Sequence, residues 1–256
     1  MKLLHENEIT AELTQSRVKV LPVVHSTNQY LLDLIHTLHS GDTCVAEYQK
    51  AGRGRRGSNW VSPFGVNICL SMFWRLNSSS VKIIGISLVI GIAIAELLRD
   101  LGAVNVKLKW PNDIYLNNKK LAGILIEIRS GKGHATNIVI GVGINMSMRT
   151  SGDFALNHPW INLQEAGVTI NRNQLVAYLL NRLHHTLVDF EENGLAPFIE
   201  RWNKLDHFMH KPVSLMIGNN IIYGIACGID SNGALLLYRE GIIVPFLGYD
   251  ISLRRT

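Results

Sequence analysis

Residues 106–145 read VKLKWPNDIYLNNKKLAGILIEIRSGKGHATNIVIGVGIN. Apolar and β-branched runs at 106–110, 114–116, 120–128 and 137–145 are punctuated by Pro111-Asn112-Asp113 and by the polar turn Asn117-Asn118-Lys119. Links of hairpin length between such runs predict a meander, and so an α+β fold whose mixed, mostly antiparallel sheet is backed by helices. Gly141 and Gly143 interrupt the last run, which predicts either a bulge or the close approach of another backbone or a ligand.

Upstream, 18–24 reads as a strand, and His25-Ser26-Thr27-Asn28 supplies helix-starting residues before apolar positions at Tyr30, Leu31, Leu34, Ile35 and Leu38. Strands at 43–48 and 66–74 lead into and out of a Gly-Arg loop, and 82–101 is a mostly buried helix. Downstream, 146–159 has no periodicity and is rich in Ser, Asp, Asn and Gly, as a functional or disordered loop would be. Helices are predicted at 161–166, 172–192 and 195–205. Beyond 206 short strands alternate with turns at 218–220, 230–233 and 240–241; five of them predict a small β-barrel or sandwich. The expected domains are therefore 1–206 and 207–256.

The chain has 256 residues, 47% of them hydrophobic and 18% charged, a composition that excludes a disordered protein. Its longest apolar stretch, 83–95, falls short of the roughly 20 residues that span a bilayer and is followed at once by Glu96, Arg99 and Asp100. Residues 1–10 carry Glu6 and Glu8 and lack the apolar core of a secretory signal, so a cytoplasmic protein with no membrane partner is expected. Cys44, Cys69 and Cys227 form no C-x-x-C pair, which argues against a zinc site or a disulfide framework; Cys44 and Cys69 read as small buried hydrophobes. The histidines show no spacing suited to a metal.

The loop 49–60 reads Gln-Lys-Ala-Gly-Arg-Gly-Arg-Arg-Gly-Ser-Asn-Trp. Lys50, Arg53, Arg55 and Arg56 stand together without an acid, while Gly52, Gly54 and Gly57 free the backbone for positive φ and for close approach to a ligand. An anion is the natural occupant. The 25 Lys plus Arg exceed the 20 Asp plus Glu by five, and this loop alone supplies four of that excess. A small phosphorylated ligand therefore fits better than a duplex, which calls for cations spread along a face. Ser26 and Thr27 arrive at a helix N-terminus, where free N–H groups and hydroxyls either hold a polar ligand or simply cap the helix. Lys109-Trp110-Pro111-Asn112-Asp113 sets a cation, a turn and a carboxylate at a strand end; alone it is equally consistent with an ordinary type I turn. Lys120 opens a strand in which Ala122 and Gly123 leave room beside it.

In order and spacing, Ser26-Thr27-Asn28, the loop 49–57, Lys109 to Asp113, Lys120-Leu-Ala-Gly-Ile-Leu and Gly141-Val-Gly-Ile-Asn145 resemble biotin-protein ligases over about 18–254. Gly-Ile-Asp-x-x-Gly-Ala-Leu at 228–235 and Ile-Ser-Leu-Arg at 251–254 are similar to that family's small C-terminal barrel. The resemblance implies a class II synthetase-like catalytic domain with an SH3-like β-barrel. It also implies a reaction in two halves: ATP, with Mg²⁺, activates biotin as biotinyl-5′-AMP, and a lysine of a biotin carboxyl carrier domain, such as that of acetyl-CoA carboxylase, then takes the biotinyl group. Both transition states gather negative charge, so fixed cations are what such catalysis needs.

By the same resemblance Lys120, Arg53, Arg55 and Asp113 are catalytic. Biotin would be held by Ser26, Thr27, Asn28, Gln49, Gly52, Arg53, Gly54, Arg55, Lys120 and Gly123. Arg55, Trp60, Lys109, Asn112, Asn145, Trp160 and Arg254 would serve the nucleotide. No protein-held metal is implied with certainty, and Asp113 is a candidate either for contact to Mg²⁺ through metal-bound water or for receiving the acceptor lysine. Ser58, Asn59 and Val61 stand where many members carry a basic pair and an aromatic residue. Some members bear an N-terminal winged helix that binds DNA; the 17 residues before 18 are too few for one, so the enzyme without the repressor, and without DNA, is expected. Members often pair sheets side by side, which allows a homodimer. A lipoate-protein ligase of the same fold is the enzyme alternative, although that group usually shows Arg-Arg-x-x-Gly-Gly. A nucleic-acid-binding module using Arg53, Arg55 and Arg56 is the alternative from another class.

Overall fold

A computed structural model of the chain describes residues 2–77, 83–130, 135–148, 159–247 and 251–255. After a short helix α1 (Glu6–Thr10), the strand β1 (Val18–Val24) leads through α2 (Thr27–Asp33) to β2 (Thr43–Gln49). β1 and β2 are parallel, Val18 opposite Thr43, as a strand–helix–strand crossover requires. β3 (Asn67–Leu76) returns antiparallel to β2 and hands the chain to the helix α3 (Ile83–Asp100).

The stretch 106–145 forms the predicted meander: β4 (Val106–Lys109), β5 (Asp113–Leu116), β6 (Lys119–Ser130) and β7 (Thr136–Asn145), each antiparallel to the next. Asn117 and Asn118 join β5 to β6 with φ of 49° and 64°, the paired left-handed conformation of a tight hairpin turn that asparagine tolerates. Between β4 and β5 the Trp110–Pro111 peptide is cis, and the link is not the ordinary type I turn. β7 then lies against β3 from Asn67↔Asn145 to Leu76↔Thr136, which closes the seven-stranded order β1-β2-β3-β7-β6-β5-β4. Neither bulge nor slip occurs in these ladders at Gly141 or Gly143.

α3 is buried along most of its length and lies against α4 (Arg172–Asn193). It is a core helix because Ile86, Leu88, Val89, Ile90, Ile92 and Ile94 all reach the interior; burying each of these aliphatic side chains stabilises the fold by roughly 1.5–3 kcal/mol. Beneath β2, the carboxylate of Glu47 meets Arg172 at 2.6 Å, with side chains 3% and 9% exposed. Arg172 also donates to the carbonyls of Gly65 and Asn67, and the Leu4 amide donates to Glu47, so one buried pair ties the N-terminal segment, β3 and α4 together.

The helix predicted at 161–166 does not form. Turns stand in its place, Ala166 N–H donating to Leu163 O and Gly167 N–H to Gln164 O, while the amides of Ile161, Leu163 and Gln164 tie the segment to Lys120, Asn145 and Met146. The Asn162 side chain, accepting from Glu165 N–H at 2.8 Å, sets a turn instead. The helix predicted at 195–205 is a 3₁₀ turn, Ala196–Phe198, followed by α5 (Ile199–Leu205). Most of the loop 146–159, from 149 to 158, lies outside the described residues.

The last five strands are β8 (Pro212–Ile217), β9 (Asn220–Ile229), β10 (Leu235–Arg239), β11 (Ile242–Phe246) and β12 (Ile251–Arg255), in the order β11-β10-β9-β8-β12. The five strands stand as expected, but the barrel is not closed: β11 and β12 lie at opposite edges and are unpaired with each other among the described residues. Turn spacing counts strands, whereas closure depends on tilt and stagger, which spacing does not encode. Val213, Leu215, Ala226, Leu235 and Leu237 face inward, and Tyr223, Ile225, Tyr238 and Ile243 face out. Trp110, 1% exposed, pins this sheet to the larger one through Nε1 donating to Gly233 O at 3.1 Å. No described helix is long and apolar enough to cross a membrane.

Candidate active site

One cleft, of about 1260 Å³, opens over β3, β7, β6 and the 49–60 loop, with β12 at its rim. Nearly every residue singled out from the sequence lines it; Gly52 is not among the lining residues. At one end Ser26 caps α2, accepting from Gln29 N–H at 3.4 Å, and presents Thr27 and Asn28 in the first turn. Gln49, the last residue of β2, accepts from Thr27 N–H at 2.9 Å and from Thr27 Oγ1 at 3.1 Å. Ser71, fully buried on β3, donates toward Thr27 Oγ1 and Asn28 Oδ1. Such a ladder of satisfied hydroxyls and amides suits a neutral polar group better than an ion.

The glycine strand now has its explanation. A Cβ on Gly141 would stand 2.4 Å from Asn28 Oδ1, and one on Gly143 would stand 2.3 Å from the Trp60 indole. Of the two alternatives left by the sequence, close approach holds, and the visitors are side chains. In the loop itself the expected positive φ occurs only at Gly57, at 71°. Gly52 and Gly54 serve close approach: their Cβ atoms would meet Trp60 O at 2.3 Å and Ser58 Oγ at 2.4 Å. The loop folds back on itself there, Trp60 N–H donating to Gly52 O at 2.9 Å and Gly54 N–H to Ser58 O at 2.7 Å.

Arg53 is turned into the cleft, where NH2 meets Glu127 Oε2 at 2.8 Å and NH1 donates to Gln29 Oε1 at 3.1 Å. Asn28 Nδ2 donates to that same Glu127 oxygen at 2.8 Å. Arg53 Nε and Trp60 Nε1 are buried donors without a hydrogen-bond partner among the described residues. Arg55 NH1 donates to Asn112 Oδ1 at 2.9 Å, and Asn112 is itself fixed to Ile124 O at 2.8 Å.

At the other end Lys120 Nζ lies 2.7 Å from Asp113 Oδ1, and Lys109 Nζ lies 3.8 Å from Oδ2. Lys120 stands 6.0 Å from the Trp60 ring centre, within reach of its π face. Its backbone pairs with the segment around Trp160, accepting from Ile161 N–H and donating to Pro159 O. Burial pulls the Lys109 ammonium below the usual lysine range, opposed by Asp113 and assisted by the positive charges of Arg254 and Arg55. Burial first and Asp113 second push the Tyr115 phenol up to about 12. Asn145 donates to Ile161 O at 3.2 Å, and the exposed Arg254 reaches the cleft from β12. Arg53, Arg55, Arg56, Lys109, Lys120, Lys211 and Arg254 make seven lining cations against one lining carboxylate, Asp113, among the described residues. They converge on a cavity and do not form a stripe along a face, which removes the support for the nucleic-acid module.

Sequence reasoning missed Ser71, Glu127 and Tyr115. Glu127 lies two residues beyond the Lys120-Leu-Ala-Gly-Ile-Leu motif, and nothing in that run says which cation it will face. No group of three or more His, Cys, Asp or Glu able to hold a metal occurs among the described residues. Cys44 and Cys69 are buried with thiols pushed up by that burial, Cys44 to about 12, as small interior side chains should be.

A mixed sheet carrying a cation-lined cleft at its glycine strand defines an α+β enzyme with a preformed small-molecule site. The Biotin/lipoate A/B protein ligase family matches residues 20–145. The bifunctional ligase/repressor BirA of Escherichia coli (strain K12) is 56% identical over 254 residues, covering 99% of this chain and 79% of that protein. The biotin--[acetyl-CoA-carboxylase] ligase of Paracoccus denitrificans is 30% identical over 218 residues, 83% of this chain and 90% of that one. Among solved structures, the biotin protein ligase of Aquifex aeolicus in complex with biotin and ATP superposes with a TM-score of 0.83 at 27% identity, covering 95% of this chain and 100% of that one. The chain belongs to the biotin/lipoate A/B protein ligase family.

Proposed function

We propose that this chain is an ATP-dependent biotin-protein ligase that forms biotinyl-5′-AMP and transfers the biotinyl group to a lysine of a biotin carboxyl carrier domain. The observation that carries the reading is the meeting of Lys120, Arg53 and Arg55 around one cleft whose far end is a neutral hydrogen-bonding ladder. In the first half-reaction a biotin carboxylate oxygen attacks the α-phosphorus of ATP and pyrophosphate leaves. In the second, a lysine amine attacks the acyl carbon and AMP leaves.

Ser26, Thr27, Asn28, Gln49 and the backbone near Gly52, Gly54 and Gly123 hold the bicyclic head. Lys120, kept in place by Asp113, stabilises the charge that builds on the carboxylate and α-phosphate. Arg55, aimed by Asn112, adds the planar donor fork that suits a phosphate. Lys109, Trp60, Asn145, Trp160 and Arg254 surround the nucleotide. Asp113 is already paired with two lysines, so it does not offer a cage for a cation. Mg²⁺ would be carried by the triphosphate with most of its waters, and Asp113 is the residue that would contact it through metal-bound water.

The two-part organisation, 1–206 and 207–256, belongs to this reading; α5 ending at Leu205 and β8 beginning at Pro212 support it. It places the enzyme in the cytoplasm, needs neither DNA nor membrane, and is compatible with a homodimer through the edge strand β1. Incubation with ATP, Mg²⁺, labelled biotin and a carrier domain should label the carrier; an unlabelled carrier, or labelling only by lipoate, rejects the proposal.

A further inference from the structure

We propose that Glu127 is a positioning residue of the biotin end, acting through Arg53; this rests on the ligase reading. One carboxylate oxygen, Oε2, accepts from Arg53 NH2 and from Asn28 Nδ2, each at 2.8 Å. The Gly-Arg loop and the helix start that carries Ser26 and Thr27 are thereby locked to a single atom on β6. With Gln29 Oε1 taking NH1, the outer edge of the Arg53 guanidinium is fixed, and the buried donor left over is Nε.

The pairing also changes what Arg53 does. Its charge is balanced by Glu127, so at this end the guanidinium is an oriented hydrogen-bond donor for a neutral acceptor of biotin. The charge that answers the carboxylate and phosphate comes from the Lys120 end. Side chains there are only part exposed, 36% for Arg53 and 21% for Glu127, so the pair is screened less than a surface bridge.

The test compares E127Q, R53Q and the double variant in full-length protein, with adenylate formation followed against biotin and against ATP. Gln keeps the shape and removes the charge. E127Q should raise the biotin KM about tenfold, the size of one charge-assisted hydrogen bond, with kcat, the ATP KM and the melting temperature held within error. In the R53Q background, E127Q should add clearly less than it does alone, the remainder being the Asn28 contact. A biotin KM within twofold of the parent, equal changes in both KM values, or additive effects in the double variant would overturn the proposal. If E127Q does not stay folded, E127D is read by the same criteria. A parent chain with no biotin-dependent turnover overturns the ligase reading itself, whereas an active parent with an indifferent E127Q overturns only the role of Glu127.

Discussion

At one end of the cleft Arg53 is balanced by Glu127 at 2.8 Å and set among Thr27, Gln49, Asn28 and Ser71; at the other Lys109 and Lys120 share Asp113, with Arg55 and Arg254 adding positive charge. On the proposed reading, cations of the same kind have two jobs. Where an acid compensates the cation and hydroxyls and amides bond one another, the site would recognise shape and neutral polarity; where cations outnumber acids, it would stabilise charge that appears during reaction. Position in the sequence does not separate the two roles, since Arg53 and Arg55 are two residues apart.

The largest effect should come from Lys120→Met, which keeps the stem and removes the charge. Pyrophosphate exchange should fall about 10²–10³-fold, the range expected for losing one fixed group aimed at developing charge, while biotin affinity changes far less. A loss under tenfold would break the assignment of charge stabilisation to that end.

A second effect should touch neither end. Asp206, 5% exposed, lies between the two sheets, where it accepts from Phe208 N–H at 2.8 Å and has no hydrogen-bond partner for Oδ2 among the described residues. Burial, only partly offset by that hydrogen bond and by Lys107, Lys211 and His210, pushes its carboxyl up to about 6. The folded state therefore favours the protonated acid. The cost of ionising it is absent below about pH 4, grows as pH rises toward 6 and is fully present above. Asp206→Asn should then gain stability above pH 6, up to about 3 kcal/mol, and nothing near pH 4. Denaturant melts at the two pH values read this, and an equal gain at both would remove burial of the charge as the cause.

Two glycine variants sharpen the comparison further. Gly141→Ala drives a methyl against Asn28 and should weaken biotin about tenfold; Gly143→Ala drives one against Trp60 and should weaken the nucleotide by a similar amount. Calorimetric titration of each variant with each ligand checks this. Should both substitutions act on one ligand, the two ends are not separate sites.

The smallest effect concerns Lys109. Because its ammonium is lost at lower pH than that of an exposed lysine, the KM for ATP should rise a few-fold on the alkaline side while the KM for biotin stays level. Lys109→Arg, which does not titrate there, should flatten that limb. An alkaline limb unchanged by the substitution assigns it to another group.

Much of the fold was legible where local chemistry decides it. The meander of 106–145 follows from alternating runs and from Asn117-Asn118, whose side chains tolerate the left-handed turn. Where long-range partners decide, reading along the chain failed. Residues 161–166 carry a helical pattern, yet their amides bond to Lys120, Asn145 and Met146, which no local propensity foresees. The last five strands were legible and their closure was not, because pairing between β11 and β12 depends on tilt and stagger.

For the site, the motifs picked out residues that the fold brings together, since Ser26, Gln49, Arg53, Lys109, Asp113, Lys120, Asn145 and Arg254 all line one cleft. Side-chain type and spacing survive in the linear chain, and these carry the chemistry. Which charges meet depends on the folded chain: Glu127 with Arg53 across 74 residues, Glu47 with Arg172 across 125, and Asp113 with both lysines. A charge becomes a catalyst, an orienting donor or a structural tie according to its neighbour and its burial, and both are properties of the folded sheet.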